Sequence, residues 1–192
     1  TLSEQGRLPD RNSDIYTMFT EAMIDPLPQE QREFLAVMGL ADEFTIEMAS
    51  AVMGISDVES ILTTLTEQNA FLKRLSGTEL FRFHHMMKEC AERTFLTLPE
   101  ERQSVYLDRF GLWYENHRQY LHAMSVYRRS RNYDALLRVI QNDAGILLAS
   151  LNSSEVLAMM TKCPSSALKE HPLAILVLMR SMFNWRLISK ML

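Results

Sequence analysis

The feature that most constrains the fold is a short hairpin pattern that runs directly into a helix. Phe71 to Leu75 and Leu80 to Phe83 have strand composition, and the turn residues Ser76-Gly77-Thr78-Glu79 lie between them. The second strand alternates aromatic residues with Arg82 and continues into an amphipathic helix that extends from about His85 to Thr97. The sequence therefore predicts strand, turn, strand and helix in that order.

Three helices are predicted ahead of this hairpin. The first begins at about Gln29 and ends near Gly39, and the second covers Thr45 to Met53 and is closed by Gly54. Ser56 and Asp57 can cap the third, which has apolar residues at helical spacing: Val58, Ile61, Leu62 and Leu65. Three helices followed by a hairpin predict a winged helix-turn-helix.

Helical patterns also flank this region. Upstream, residues 1–14 are predicted to be an irregular lead-in, and Ile15 to Met23 a helix that Asp25-Pro26-Leu27-Pro28 ends. After Pro99 the pattern is helical throughout, with large aromatic residues three or four positions from small or branched ones. The predicted segments there are Glu100–His117, Tyr120–Tyr127, Tyr133–Ile140, a helix capped at Asn152-Ser153-Ser154-Glu155 that ends near Lys162, and His171–Trp185. The fold class is thus mainly α: a winged helix-turn-helix with one small β-hairpin, followed by α-helical repeat hairpins.

Composition and charge bound the class of protein. Hydrophobic residues make up 47% of 192 residues, which is typical of a soluble, core-forming chain, and the apolar run Leu173–Met179 is far shorter than the ~20 residues of a membrane span. Two distant cysteines, Cys90 and Cys163, indicate reduced thiols in a cytoplasmic protein. Residues 1–98 carry 8 basic and 16 acidic residues (net −8), whereas residues 99–192 carry 12 and 8 (net +4), which predicts a domain boundary near Pro99.

The strand-to-helix junction is the candidate site. His84 and His85 lie where free backbone N–H groups and the positive end of a helix dipole favour an anion. The alternative is a half-buried histidine packed between hairpin and helix. A metal site is not expected, since His84, His85, Glu89 and Cys90 lack the convergent ligands that zinc needs. No nucleophile motif such as G-x-S-x-G is present, so no catalytic residue is predicted.

The charge of the predicted third helix argues against DNA binding. Between Asp57 and Asn69 there are three carboxylates and no Lys or Arg, whereas DNA affinity depends on cationic contacts to phosphate. A basic patch lies further along the chain, at arginines 118, 128, 129, 131 and 138. This patch is interpreted either as a solvated helix face or as a contact with the acidic N-terminal half or an acidic partner.

The order of several motifs resembles the central region of large bacterial LuxR-type, MalT-like transcriptional regulators, which are STAND signal-transduction ATPases. The motifs are Leu27-Pro28, Phe34-Leu35, Leu65-x-x-x-Asn69-x-Phe71-Leu72, Phe81-Arg82-Phe83-His84-His85, Trp113-Tyr114-Glu115 and Tyr120-x-x-Ala123. The resemblance implies three parts: residues 1–26 as the tail of the nucleotide-binding module, 27–98 as the winged helix, and 99–192 as the start of a truncated, tetratricopeptide-like sensor arm. The phosphate-binding loop and the C-terminal DNA-reading domain of that family are absent from this sequence.

The resemblance also implies a role for His84. In related STAND proteins a Met-His-Asp motif opens the equivalent helix, and its histidine contacts the β-phosphate of bound ADP. His84 matches that histidine, whereas Phe83 replaces the Met and His85 replaces the Asp. The implied cofactor is ADP or ATP in the full-length protein and none in this fragment, which is not itself expected to be an enzyme.

The implied function is to couple the nucleotide state to an inducer-sensing arm. The implied partners are the protein's own nucleotide-binding domain, an inducer or regulatory protein on the arm, and further copies of the protein on activation, without nucleic acid or membrane. Two alternatives remain open: a self-contained helical-repeat adaptor with a Met-rich peptide groove, and a small DNA-binding winged-helix regulator.

Overall fold

The computed structural model describes residues 11–67, 72–143, 146 and 153–185. It comprises two compact units, Thr1–Pro99 and Glu100–Leu192, which we call the N-terminal and C-terminal units. The chain is mainly helical, and a winged helix is followed by helical hairpins, which confirms the predicted fold class.

The N-terminal unit contains five helices and two strands within its described residues. In chain order these are α1 (Arg11–Met23), α2 (Gln29–Met38), α3 (Ile46–Met53), α4 (Val58–Glu67), β1 (Leu72–Arg74), β2 (Phe81–Phe83) and α5 (His85–Leu96). Thr45 caps α3 by accepting the Met48 N–H, and Gly54 ends that helix in the left-handed region with φ 72°. Asp57 accepts the Ser60 N–H at the start of α4, as the capping pattern predicts.

The wing is a two-stranded antiparallel hairpin that a third segment extends. Leu72 pairs with Phe83 and Arg74 with Phe81. On the other side of β2, Phe44 and Phe81 exchange both backbone hydrogen bonds, at 3.0 and 2.8 Å. The Phe44 ring packs against Phe34, Phe81 and Phe83, with ring centroids 5.5 to 6.2 Å apart. This aromatic cluster fastens the wing to the α2–α3 turn.

Helix α5 packs on α1 and α2 and places the junction relative to the core. Its inward residues Met87, Cys90, Ala91 and Phe95 are fully buried. A Cβ at Gly39, the residue after α2, would lie 2.3 Å from the Ala91 Cβ, so only glycine allows this approach of α2 to α5. Cys90 is a free thiol, and burial on this face is typical of an unreactive structural cysteine.

The C-terminal unit is built of helices within its described residues. They are α6 (Glu100–Asn116), α7 (Tyr120–Ser130), α8 (Tyr133–Asn142), α9 (Ser153–Met160), α10 (Ser165–Glu170) and α11 (Pro172–Asn184). Helices α6 and α7 form a tight hairpin, and α8 packs against α7, α10 and α11. The core shared by α7, α8, α9 and α11 centres on Ala123, Tyr127, Leu136, Leu137, Ile140, Val156, Ala174 and Leu178.

The predicted element boundaries need two corrections. Helix α1 begins at Arg11, not Ile15, so residues 11–14 are helical and not part of an irregular lead-in. Helix α10 was missed because Pro164 starts a six-residue helix too short to show a period. The predictions for residues 1–10, Asn69, Phe71 and Asn152 fall outside the described residues.

Candidate functional site

His84 caps helix α5 through its own ring. Its backbone is extended, with φ −63° and ψ 146°, and its Nδ1 accepts the Met86 N–H at 3.4 Å. Its carbonyl oxygen accepts the Lys88 N–H at 3.0 Å, which is the first bond of the helix. The side chain is exposed, so the half-buried packing considered as the alternative is wrong.

The capping bond determines which ring nitrogen can act on a ligand. Because Nδ1 accepts a backbone hydrogen bond, the neutral ring carries its proton on Nε2, which makes Nε2–H the donor that can reach an anion. The His85 ring lies beside it, with centroids 4.2 Å apart and planes tilted by 44°. The geometry therefore gives the two histidines different roles: His84 belongs to the cap, and His85 starts the helix proper.

The cations nearest the junction already have carboxylate partners. Arg82 on β2 pairs with Glu43, and Lys88 in the first turn of α5 pairs with Asp42. Both carboxylates lie in the turn between α2 and α3. These two ion pairs offset the positive charge that would otherwise favour an anion. The junction therefore presents imidazole rings and helix N–H groups, and not a pocket of unpaired cations.

The solvent face of α4 is acidic and offers no cation. Glu59 and Glu67 are exposed, and the hydroxyls of Thr63, Thr64 and Thr66 donate to carbonyls one turn back in the same helix. A shallow cavity of about 260 Å³ beside this face is lined by α4 residues, Ile46, Arg74 and Phe81. The element that would enter the major groove in a DNA-binding winged helix is therefore lined with carboxylates.

In the C-terminal unit, sequence reasoning missed the central role of Glu115. Arg138 donates to it from Nε and Nη2 at 3.1 and 2.9 Å, the Tyr127 hydroxyl donates at 3.1 Å, and Asn142 donates at 3.3 Å. Burial raises the pKa of Glu115, but these donors, Arg138 first, outweigh it and hold the pKa below the usual 4.5. Glu115 thereby ties α6 to α7 and α8.

Arg138 therefore does not belong to the predicted basic patch. Its guanidinium forms a bidentate pair with Glu115, and its pKa is raised, chiefly by that hydrogen bond. The other patch arginines, 118, 128, 129 and 131, lie at the ends of α6 and α7 and are exposed. Their exposure is compatible with both interpretations of the patch, a solvated face and a contact with an acidic partner.

A second missed residue, His171, joins helices that are distant in sequence. Its Nε2 lies 2.7 Å from Asp134 Oδ1, and its Nδ1 lies 2.6 Å from the Gln141 amide nitrogen. It thereby fixes the start of α11 against both ends of α8. From the sequence, His171-Pro172 indicated only the start of a helix, and not the contacts with α8.

Two kinds of feature are absent from the described residues of the chain. In that part of the chain, no three His, Cys, Asp or Glu side chains lie together in a way that could hold a metal ion. None of the helices described is long and apolar enough to cross a membrane.

Comparison with known proteins finds similarity over most of the N-terminal unit. Residues 20–103 match the family model of the MalT winged helix domain, which confirms the resemblance over those residues. The serine/threonine-protein kinases PknK of two Mycobacterium tuberculosis strains and of Mycobacterium bovis are 27% identical over 157 residues. The match covers 79% of this chain but 14% of the length of those kinases. No solved structure matches the chain.

Proposed function

We propose, from the premise that residues 20–103 are a MalT-type winged helix, that this chain is the coupling region of a bacterial transcriptional regulator. In this proposal the winged helix packs on a nucleotide-binding domain elsewhere in the full-length cytoplasmic protein. The helical hairpins after Pro99 begin a tetratricopeptide-like arm that senses an inducer. The chain is a non-enzymatic part of a signal-transduction ATPase.

The observation that carries the proposal is the geometry of His84. Its ring stands exposed at the helix N-terminus, and because Nδ1 accepts the cap N–H, the neutral ring carries its proton on Nε2. A phosphate oxygen of ADP suits such a donor, and the helix dipole adds to the attraction. Because Arg82 and Lys88 are already paired, His84 supplies one contact to a phosphate that other residues hold.

The proposed mechanism is a two-state switch. Bound ADP stabilises a resting arrangement in which His84 joins the winged helix to the nucleotide. An inducer on the helical arm favours a second arrangement without this contact, and the released surfaces allow copies of the protein to associate. Each ligand shifts the equilibrium by the difference in its affinity for the two states.

Replacing His84 in the full-length protein is expected to weaken ADP and raise activity without inducer. His84→Asn is the sharper variant, because Asn is itself a good N-cap and keeps α5 intact while removing the imidazole. We expect ADP to bind about tenfold more weakly, since losing one charge-assisted hydrogen bond costs about 1.5 kcal/mol. ADP dissociation and transcription of a reporter without inducer measure the two effects.

His85→Ala is the matched control for this experiment. It removes the neighbouring exposed imidazole from the same junction, but it leaves the cap and the proposed phosphate donor in place. We expect its ADP affinity to stay within about twofold of the wild type. Unchanged ADP affinity and basal activity in both His84→Asn and His84→Ala would contradict the proposal.

The chain is not expected to bind DNA directly. Helix α4 carries carboxylates and no cation, so it would repel the phosphates of a duplex. Binding would also gain no affinity from counterion release, because no Lys or Arg neutralises a phosphate there. A gel-shift titration of the chain with random-sequence duplex at low salt should show no complex. Glu59→Lys/Glu67→Lys, which reverses both charges on that face, is the comparison that should bind weakly. A salt-sensitive complex with the wild-type chain would show that the winged helix is a DNA reader.

The similarity to PknK supports a second candidate. The relatives are named as serine/threonine-protein kinases, so the same coupling region could serve a kinase output instead of a transcriptional one. The two candidates share the switch and differ in the effector domain. Assays of the full-length protein for sequence-specific DNA binding and for protein phosphorylation distinguish them.

A further inference from the structure

A cavity of about 410 Å³ lies within the C-terminal unit, where α7 ends, α8 begins and α9 passes. The described residues that line it are Arg128, Arg131, Tyr133, Glu155, Ala158 and Lys162. Three of these six side chains are cationic and one is anionic. The volume falls within the range of about 300–1,000 Å³ that small-molecule sites occupy.

The cations of this cavity are available to a ligand. Arg128, Arg131 and Lys162 are exposed, and among the described residues none of them takes part in an ion pair. They differ in this from Arg138, whose guanidinium forms a bidentate pair with Glu115. The C-terminal ends of two helices also favour these cations: Arg128 lies in the last turn of α7, Arg131 is its C-cap, and Lys162 follows the end of α9.

The turn that carries Arg131 is held in place from both sides. The Ser130 hydroxyl donates to Asp108 Oδ1 at 2.6 Å, and the Asn132 amide donates to Asp108 Oδ2 at 3.0 Å. Between them Arg131 adopts a left-handed backbone conformation, with φ 59°, which costs free energy in any residue other than glycine. Asp108 therefore fixes the backbone from which Arg131 extends, and a cation presented this way loses less entropy on binding.

We propose that this cavity binds a small molecule that carries a phosphate group. Arginine guanidinium groups bind phosphate through paired N–H donors, and Lys162 adds a third charge at the rim. Glu155 would accept hydrogen bonds from ligand hydroxyl groups, and Tyr133 offers a ring and a hydroxyl to the remainder of the molecule. Assigning this ligand as the inducer rests on the proposed function. Binding of a phosphate compound in this cavity does not depend on that function.

Titration of the 192-residue chain with pyrophosphate tests the site. We expect saturable binding by calorimetry, and Arg128→Gln/Lys162→Gln should weaken it at least tenfold. Arg129→Gln is the matched control: it removes the same charge from the adjacent position of α7 but does not line the cavity, so it should change affinity less than twofold. Glu155→Gln should tighten pyrophosphate, because it removes the carboxylate of the described lining residues.

Three results would overturn the inference. One is the absence of saturable pyrophosphate binding, and another is an Arg129→Gln effect as large as that of the double variant, which would indicate diffuse attraction. The third is tighter binding of a Glu-rich peptide than of pyrophosphate with the same arginine dependence, which would assign the surface to an acidic protein partner. None of these results bears on the nucleotide contact of His84. The proposed function is tested separately, by the ADP affinity and basal activity of the His84 variants.

Discussion

Gly111→Ala is expected to lower the free energy of unfolding of the C-terminal unit by about 2 kcal/mol. A Cβ at this position would lie 2.3 to 2.7 Å from three ring atoms of Tyr127. The ring cannot move aside cheaply, because it is buried and its hydroxyl is bonded to Glu115. Overpacking of this kind costs about 1–3 kcal/mol or more, and the better helix propensity of alanine offsets about 1 kcal/mol.

Tryptophan fluorescence during urea unfolding of the full chain measures this change selectively. Both tryptophans of the chain, Trp113 and Trp185, belong to the C-terminal unit. Leu112→Ala is the control, because it introduces the same residue one position along α6 on the exposed side and should cost less than about 1 kcal/mol.

Two double variants identify the cause of the Gly111→Ala effect. Combined with Tyr127→Leu, which removes the offending ring, Gly111→Ala should cost much less than it does alone. Combined with Tyr127→Phe, which keeps the ring and loses only the hydroxyl, it should keep most of its cost. If both doubles are additive, the ring is not the obstacle and the close packing of α6 on α7 has another origin.

The secondary structure could be predicted where hydrophobic period and capping residues agree. Thr45, Gly54 and Asp57 mark helix ends through hydrogen bonds to residues nearby in sequence. These helix ends can therefore be recognised without knowing the tertiary structure. Phe44 was not recognised, because a single bridge to Phe81 leaves no alternating pattern in the sequence. The fold could thus be predicted from local patterns. The attachment of the wing could not, because it depends on Phe44, which lies 37 positions before its partner Phe81.

The candidate site likewise has one part that could be predicted from the sequence and another that could not. His84 could be found from sequence because a strand that passes directly into a helix fixes the position of the cap. The partners of Arg82 and Lys88 could not, since Glu43 and Asp42 come close only when the wing folds back. Sequence position alone also placed Arg138 in the basic patch, although the fold brings it to Glu115 from 23 residues away.

Glu115→Ala is expected to destabilise the C-terminal unit by about 2–3 kcal/mol. The carboxylate accepts hydrogen bonds from Arg138, Tyr127 and Asn142, and its removal leaves a half-buried guanidinium and a buried hydroxyl without this acceptor. Fully buried pairs cost about 3–5 kcal/mol to break, but solvent reaches the Arg138 side chain, which is 42% exposed, so a lower value applies. Glu101→Ala, on an exposed position of the same helix, is the control and should cost less than about 1 kcal/mol.

The stabilisation by Glu115 should also depend on pH in a defined direction. Since its pKa is lower in the folded chain than the usual 4.5, the contribution is complete above pH 4.5 and is lost as the pH falls toward the folded value. Glu115→Gln cannot ionise, so the difference in unfolding free energy between wild type and this variant should be constant near neutral pH and shrink below about pH 4.5. Denaturant unfolding at a series of pH values, followed by tryptophan fluorescence, measures that difference. A difference that stays constant down to pH 3 would show that the pKa of Glu115 is the same in the folded and unfolded chain, so that its charge contributes no stability.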